Sequence, residues 1–381
     1  MERSEKLEHS YRSTPYHSRR PHETMRIVKK VISCVVGIGL MVAISGCGSQ
    51  EGARSPLPSK VGPQGEVLVV CTDAVWAGEI GDTIRKILHK PYAVLPQMHI
   101  ETYEPMFDIV HKNRYDFNKF WKPHRNIIDV EIADRIDTQD PTVVFYTEKY
   151  SRGQIYIVGK ARTRGELAAK FAERANEMVS LLHDVEVKRT TYVTKLSVDE
   201  VIQRSINVAW GLDLLIPKGS YGVRVDTAFT WIDRQLTRFR GSNNHDVQEG
   251  FFIHSEPYIG PEQFTLDHIL DRRDEMTKRY VAGPTEGSYM QIERRMIPSY
   301  EEISFKGGFA AEVRGLWRME NDFMGGPYYS LTFYEEEKAR LITVEGYAYA
   351  PYFDKRQYMR EVEGIVKSVT LFSDDEAGAV E

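Results

Sequence analysis

Apolar residues in Glu66–Cys71 form a short dense run, and strand-like runs recur at Phe107–His111, Arg125–Ile132, Thr142–Thr147 and Ile155–Gly159. A helix is predicted around Gly81–Lys90, closed by Pro91. From Thr163 the period becomes helical: Leu167, Phe171, Ala175, Met178, Val179 and Leu182 share one stripe behind a capping box, Thr163-Arg-Gly-Glu166. Val185–Val193 reads as a further strand. A second capping box, Ser197-Val-Asp-Glu200, starts a short helix ending near Asn207, so a domain boundary is expected between residues 194 and 210.

The second half opens with Leu212-Asp-Leu-Leu-Ile-Pro. Strands are predicted at Tyr221–Val225, Phe229–Ile232, Gln235–Arg240 and Glu249–Ser255, followed by an amphipathic helix over Thr265–Tyr280. Strands then follow at Met290–Arg295, Phe309–Met319, Tyr328–Glu335 and Arg340–Tyr349. A last helix starts at Asp354 as N-cap and buries Tyr358, Val362, Ile365, Val366 and Val369. The class this predicts is α+β, with mostly antiparallel sheets flanked by helices. Residues 63–195 make an N-terminal α/β domain, 196–372 a C-terminal α+β domain, and 373–381 an acidic tail. Ile155–Val187 and Ile342–Leu371 share a strand–helix–strand layout, so the two parts read as two domains or half-repeats.

The first 46 residues follow a different pattern. Arg26, Lys29 and Lys30 precede an apolar run from Val31 to Ile44, which is shorter than the roughly 20 residues needed to span a bilayer. This is the build of a secretory signal, and Met25 is the preferred start within it. The segment closes on Ile44-Ser45-Gly46-Cys47, which resembles the bacterial lipobox. That resemblance implies cleavage before Cys47, a diacylglycerol on its sulfur and stable anchoring by several acyl chains. Residues 48–62 then form a tether reaching about 20 Å as a flexible coil. Gly48-Ser49 lacks Asp after the Cys, which points to an outer membrane, and the single acid in Gly48–Glu51 points to its periplasmic face.

The 381 residues carry 50 basic and 55 acidic side chains, a net of −5. From Cys47 onward 42 basic and 51 acidic residues remain, a net of −9, which argues against a nucleic-acid partner. Cys71 is then the only unmodified thiol, so no internal disulfide is expected.

Three stretches, Leu95-Pro96-Gln97, Glu104-Pro105-Met106-Phe107-Asp108 and Arg125-Asn126-Ile127, resemble an uncharacterised family of Bacteroidota lipoproteins catalogued as a domain of unknown function. Residues 207–372 resemble the PsbP/Mog1-type α/β/α sandwich in topology: an opening Ile216-Pro217, a mid-domain helix, long antiparallel strands and a closing helix with Ser368-Val369-Thr370-Leu371. The latter resemblance implies an assembly factor or binding module more than an enzyme.

Catalytic motifs are missing: there is no phosphate loop, no Gly-x-Gly-x-x-Gly, no His-Glu-x-x-His and no Gly-x-Ser-x-Gly. The eight histidines after Cys47 are scattered, so neither a metal nor another cofactor is expected. Two features stand out as candidate binding surfaces. One is the cationic and aromatic stripe Lys112–Arg125, with Lys119, Trp121, Lys122 and Arg125 suited to an anionic partner. The other is the hairpin Tyr328–Tyr349. Alternation gathers Tyr328, Ser330, Thr332, Tyr334, Thr343, Glu345, Tyr347 and Tyr349 on one face, with Glu312, Arg314 and Arg318 of the preceding strand beside them. Such a face suits a glycan or peptide unless a helix covers it. The resulting expectation is a membrane-anchored envelope lipoprotein that binds an envelope protein or takes part in assembly; the alternative is binding or processing of a glycan on the tyrosine face.

Overall fold

The computed structural model describes residues 56–95, 103–133 and 140–372. The signal segment, Ile44, Ser45, Gly46, Cys47, the first part of the tether and the acidic tail lie outside the described residues. In the N-terminal half, β1 (Glu66–Cys71) leads through α1 (Asp73–Trp76) and α2 (Glu79–Leu88) to β2 (Asp108–Asn113). Then come β3 (Asn126–Ile132), β4 (Thr142–Thr147), β5 (Ile155–Ala161), α3 (Arg164–Glu173) and α4 (Ala175–Lys195). The sheet order is β2-β1-β3-β5-β4, parallel except for β4. Val67–Cys71 is buried throughout, as a strand covered on both faces must be. Val67, Val69, Cys71, Ile128 and Ile157 pack into the core formed with α2, α3 and α4. Leu68, Val70, Ile127, Tyr156 and Val158 point the other way, where no helix lies. β2 and β3 flank β1, so the chain between them must cross that second face, and it lays Phe117 and Trp121 there with Tyr150.

The Thr163–Glu166 capping box forms as expected. The strand expected at Val185–Val193 does not: these residues continue α4. Their β-branched residues are accommodated because Thr190, Thr191 and Thr194 donate their hydroxyls to carbonyls one turn back. Val187 and Thr191 are also needed against a helix from the other half, whose Gly364 approaches so closely that an added Cβ would stand 2.3 Å from Thr191 Oγ1. Without that strand the half-repeat layout is not present; one sheet is mainly parallel and the other wholly antiparallel.

The C-terminal half begins with α5 (Glu200–Trp210). Its N-cap is Asp199, whose carboxylate accepts from Val201 and Ile202 N–H, and not Ser197. Then follow β6 (Leu212–Asp213), β7 (Ser220–Val225), β8 (Thr230–Arg240), β9 (Asn243–Pro257), α6 (Leu266–Tyr280), β10 (Tyr289–Ile292) and β11 (Ser299–Phe305). The chain continues through β12 (Gly308–Glu320), β13 (Gly325–Glu335), β14 (Arg340–Tyr349), α7 (Arg356–Val366) and β15 (Thr370–Leu371). The large sheet runs β10-β12-β13-β14-β9-β8-β7, with β11 also on β12. α6 covers one face, packing Ile269, Leu270 and Met276 near Tyr328 and Tyr347. α5 and α7 cover the other, with Trp210, Val362 and Ile365 against Leu331, Phe333 and Val344. The fold is therefore α+β, and its larger sheet is a three-layer sandwich.

α7 is held from the N-terminal half. Lys355 and Arg356 N–H both donate to the Glu104 carboxylate at 2.8 Å, in the place expected of Asp354. Arg356 also pairs with Asp108 and Arg360 donates to Met106 O. Residues from Leu57 onward accordingly group as one compact unit.

Candidate functional site

The tyrosine hairpin has the predicted register. Tyr328 pairs with Tyr347, Ser330 with Glu345 and Thr332 with Thr343, while Tyr329, Leu331, Phe333, Ile342 and Val344 face α7. The polar face is not a surface, however. Tyr328, Glu345 and Tyr347 are each 1% exposed, because α6 lies on them. Arg273 of α6 reaches down to grip Glu345 with Nε and Nη2 at 2.8 and 2.7 Å, and its guanidinium lies 4.3 Å from the Tyr328 ring. Burial raises the Glu345 carboxyl against the pull of Arg273. Trp231 Nε1–H donates to the Tyr347 hydroxyl at 3.2 Å. Tyr328, Glu345 and Tyr347 are thus core residues, and the expectation that they meet a ligand is corrected. Arg314 is corrected too: it stands opposite Tyr329, so with Glu312 it faces Tyr329 and α7 rather than Tyr328 and Tyr347. Tyr349 is half-buried beside Trp317. Tyr334 alone of the set remains open, at 39%.

The Lys112–Arg125 stripe divides in the same way. Arg125 turns inward to Glu186 at 3.2 Å, where Arg189 holds the other carboxylate oxygen at 2.6 Å. Trp121 packs on the second face of the N-terminal sheet with Lys112 Nζ 4.8 Å from its ring centre. Lys119 is exposed with its Nζ 5.5 Å from the Phe120 ring centre, while Lys122 is half-buried over Tyr150 at 5.4 Å.

Two concave places gather functional groups. The first surrounds Tyr334 and has a volume of about 620 Å³. Its walls come from the end of β9, the turn Pro261–Phe264, β11 and the β13–β14 turn. Tyr258 lies tilted against Tyr334 with ring centres 4.7 Å apart, Phe264 meets Phe309 edge-on at 4.8 Å, and Tyr300 donates its hydroxyl to Phe264 O at 3.0 Å. Glu302 and Glu336 add carboxylates to these rings. Sequence reasoning found only Tyr334 of this set. β11, which brings Tyr300 and Glu302, is a polar edge strand with no apolar alternation to reveal it.

The second is a cleft of about 380 Å³ between the halves, lined by Tyr92, His183, Glu312, Arg314, Glu363 and Lys367. Glu363 accepts from His183 Nε2 at 2.9 Å and pairs with Arg314 at 3.0 Å and Lys367 at 2.8 Å. Burial alone would raise the Glu363 carboxyl, but Arg314, His183 and Lys367 together hold it well below its usual range. Burial pushes the Tyr92 hydroxyl up to about 12. Ser180 lines the same cleft, and His183 Nδ1 has no hydrogen-bond partner among the described residues. The charges are matched by one another, and the cleft acts as an ionic clamp between α4, α7 and β12. Among the described residues no three His, Cys, Asp or Glu side chains cluster as metal ligands, and no helix is long and apolar enough to cross a membrane.

Residues 60–195 match the family model of a domain of unknown function, DUF8532, and residues 199–368 match that of a second domain of unknown function, DUF4837. The chain thus joins two uncharacterised domains, meeting at the turn between α4 and α5. No curated protein matches it.

Proposed function

We propose that this chain is a membrane-anchored envelope lipoprotein that acts by binding, with the Tyr258–Tyr334 groove as its ligand seat. The observation that carries the reading is the groove itself. Five aromatic rings from four separate segments converge around an open space where β9 and β13 end and β12 begins, although the hydrophobic effect favours burying such rings. The groove presents rings, hydroxyls and two carboxylates, which can recognise a ligand but include no activated nucleophile. Anchoring at Cys47 is supported by the signal-like segment and lipobox pattern alone. Turnover of an envelope substrate by purified protein, lost in a single-residue variant, would overturn the binding reading.

A second reading, that the ligand is an envelope glycan, is favoured by the Tyr258–Tyr334 pair. Flat rings stack on sugar C–H faces while Glu302 and Glu336 accept hydroxyl protons. A Tyr258→Ala/Tyr334→Ala variant should then lose retention on immobilised envelope polysaccharide; unchanged retention removes the glycan.

A further inference from the structure

The tether joins the body beside the cationic and aromatic stripe. Val61 N–H donates to Pro123 O at 3.0 Å, Arg125 N–H returns to Val61 O at 2.9 Å, and Arg152 N–H donates to Pro58 O at 2.9 Å. The first residues of the body are therefore stitched to the chain that carries Lys119, Phe120 and Lys122. Around this exit point Tyr115 is 89% and Phe120 75% exposed, although the neighbouring Phe117 and Trp121 pack on the sheet. Lys149 and Arg152 are exposed on the adjoining loop, with Lys149 Nζ 5.5 Å from the half-open Tyr146 ring. Two exposed carboxylates share the surface: Asp116 is matched by Lys112 at 3.8 Å, while Glu148, which accepts from Gly153 N–H at 2.8 Å, keeps its charge and is outnumbered by Lys119, Lys122, Lys149 and Arg152. An excess of cations is thus concentrated on one patch of an acidic protein.

We propose that this patch docks on an anionic lipid surface, with Tyr115 and Phe120 inserted at headgroup depth and Lys119, Lys122, Lys149 and Arg152 against lipid phosphates. The inference rests on the anchored reading above. Nine residues, 48–56, separate Cys47 from Leu57, and the ten steps between them reach at most about 36 Å when fully extended. A lipid at Cys47 would hold the patch within that distance of the bilayer, where rings favour the interface and cations gain from anionic headgroups. Docking orients the Tyr258–Tyr334 groove relative to the membrane, and high salt weakens it because the screening length shrinks from about 8 Å at physiological ionic strength to about 3 Å at 1 M.

The test uses the full chain, lipidated and reconstituted in vesicles of phosphatidylcholine with 30% or without phosphatidylglycerol. An environment-sensitive fluorophore is placed at Phe120→Cys and, as control, at Ile297→Cys, which is 87% exposed in the native chain. Buried Cys71, its thiol pushed up to about 11 by desolvation, does not compete for the label. The expected result is quenching by lipid-borne quenchers at 120 and none at 297, stronger with phosphatidylglycerol. It should fall about tenfold or more in a Lys119→Glu/Lys122→Glu background. Equal water exposure at 120 and 297 on protein that floats with the vesicles overturns docking but leaves the anchor standing. Protein that does not float, or that behaves the same with Cys47→Ser, overturns the anchor and this arrangement together. A response to a soluble sulfated polysaccharide with none to vesicles overturns it in favour of a polyanionic sugar.

Discussion

Each sheet has a second face that another part of the chain must cover, aromatic and polar in the C-terminal half and mainly aliphatic in the N-terminal half, and the two meet different fates. In the C-terminal half that face carries Tyr328, Ser330, Thr332, Thr343, Glu345 and Tyr347, and α6 seals it with Arg273. In the N-terminal half the chain crosses the second face as an irregular connection too narrow to bury all its own side chains. Phe117 and Trp121 pack inward, whereas Tyr115, Lys119 and Phe120 are left outside. The lesson is that residue type does not decide whether a tyrosine or lysine serves the core or the surface; the covering element does. A helix supplies a continuous wall and, through Arg273, a buried partner for Glu345, and an extended connection does not.

The contrast can be broken first at Arg273–Glu345. Glu345→Ala leaves a guanidinium buried without its carboxylate and should cost about 3–5 kcal/mol, read as a lower midpoint in urea unfolding. If it costs under 1 kcal/mol, the face is not sealed. The same covered face makes a pH prediction. His254, opposite Thr343, is buried against the Phe229 ring, and desolvation with nearby Arg272 and Arg273 lowers its pKa to about 3. The folded protein thus holds it neutral while the unfolded chain takes a proton below about pH 6.5, so its contribution is full above that pH and is lost as pH falls toward 3. Between pH 7 and 5 His254→Gln should remove about 2 kcal/mol of acid sensitivity. An unchanged slope would mean that this group stays solvated.

On the other sheet, Trp121→Ala should cost about 2 kcal/mol because half the ring is packed, whereas Lys119→Ala should stay within about 0.5 kcal/mol. Thermal melts of the two variants side by side check the division of the stripe. Similar losses would show that the outer residues are structural after all.

Much of the fold was legible because its signals are local. Alternation in Arg340–Tyr349 fixed both faces of the hairpin, and the Thr163–Glu166 capping box formed where expected. What failed depended on distant partners. Val185–Val193 is helical because α7 packs against it through Gly364. Asp354 does not cap α7 because Glu104, 250 residues earlier, already does. The tyrosine face was correctly composed but its lid was invisible, since period-two patterning names a face and not its neighbour. The groove was nearly illegible: Tyr258, Phe264, Tyr300, Phe309 and Tyr334 come from segments whose meeting is a property of the whole sheet.

The central claim, that the open rings at Tyr334 and not the sealed ones hold the ligand, is most directly tested by crosslinking and co-purification from native membranes. Wild-type chain is compared with Tyr258→Ala/Tyr334→Ala and with Tyr347→Phe, each shown by thermal melting to be folded. A discrete companion is expected with wild type and Tyr347→Phe and is lost from the groove variant. The same companion recovered in equal yield with the groove variant would contradict the claim.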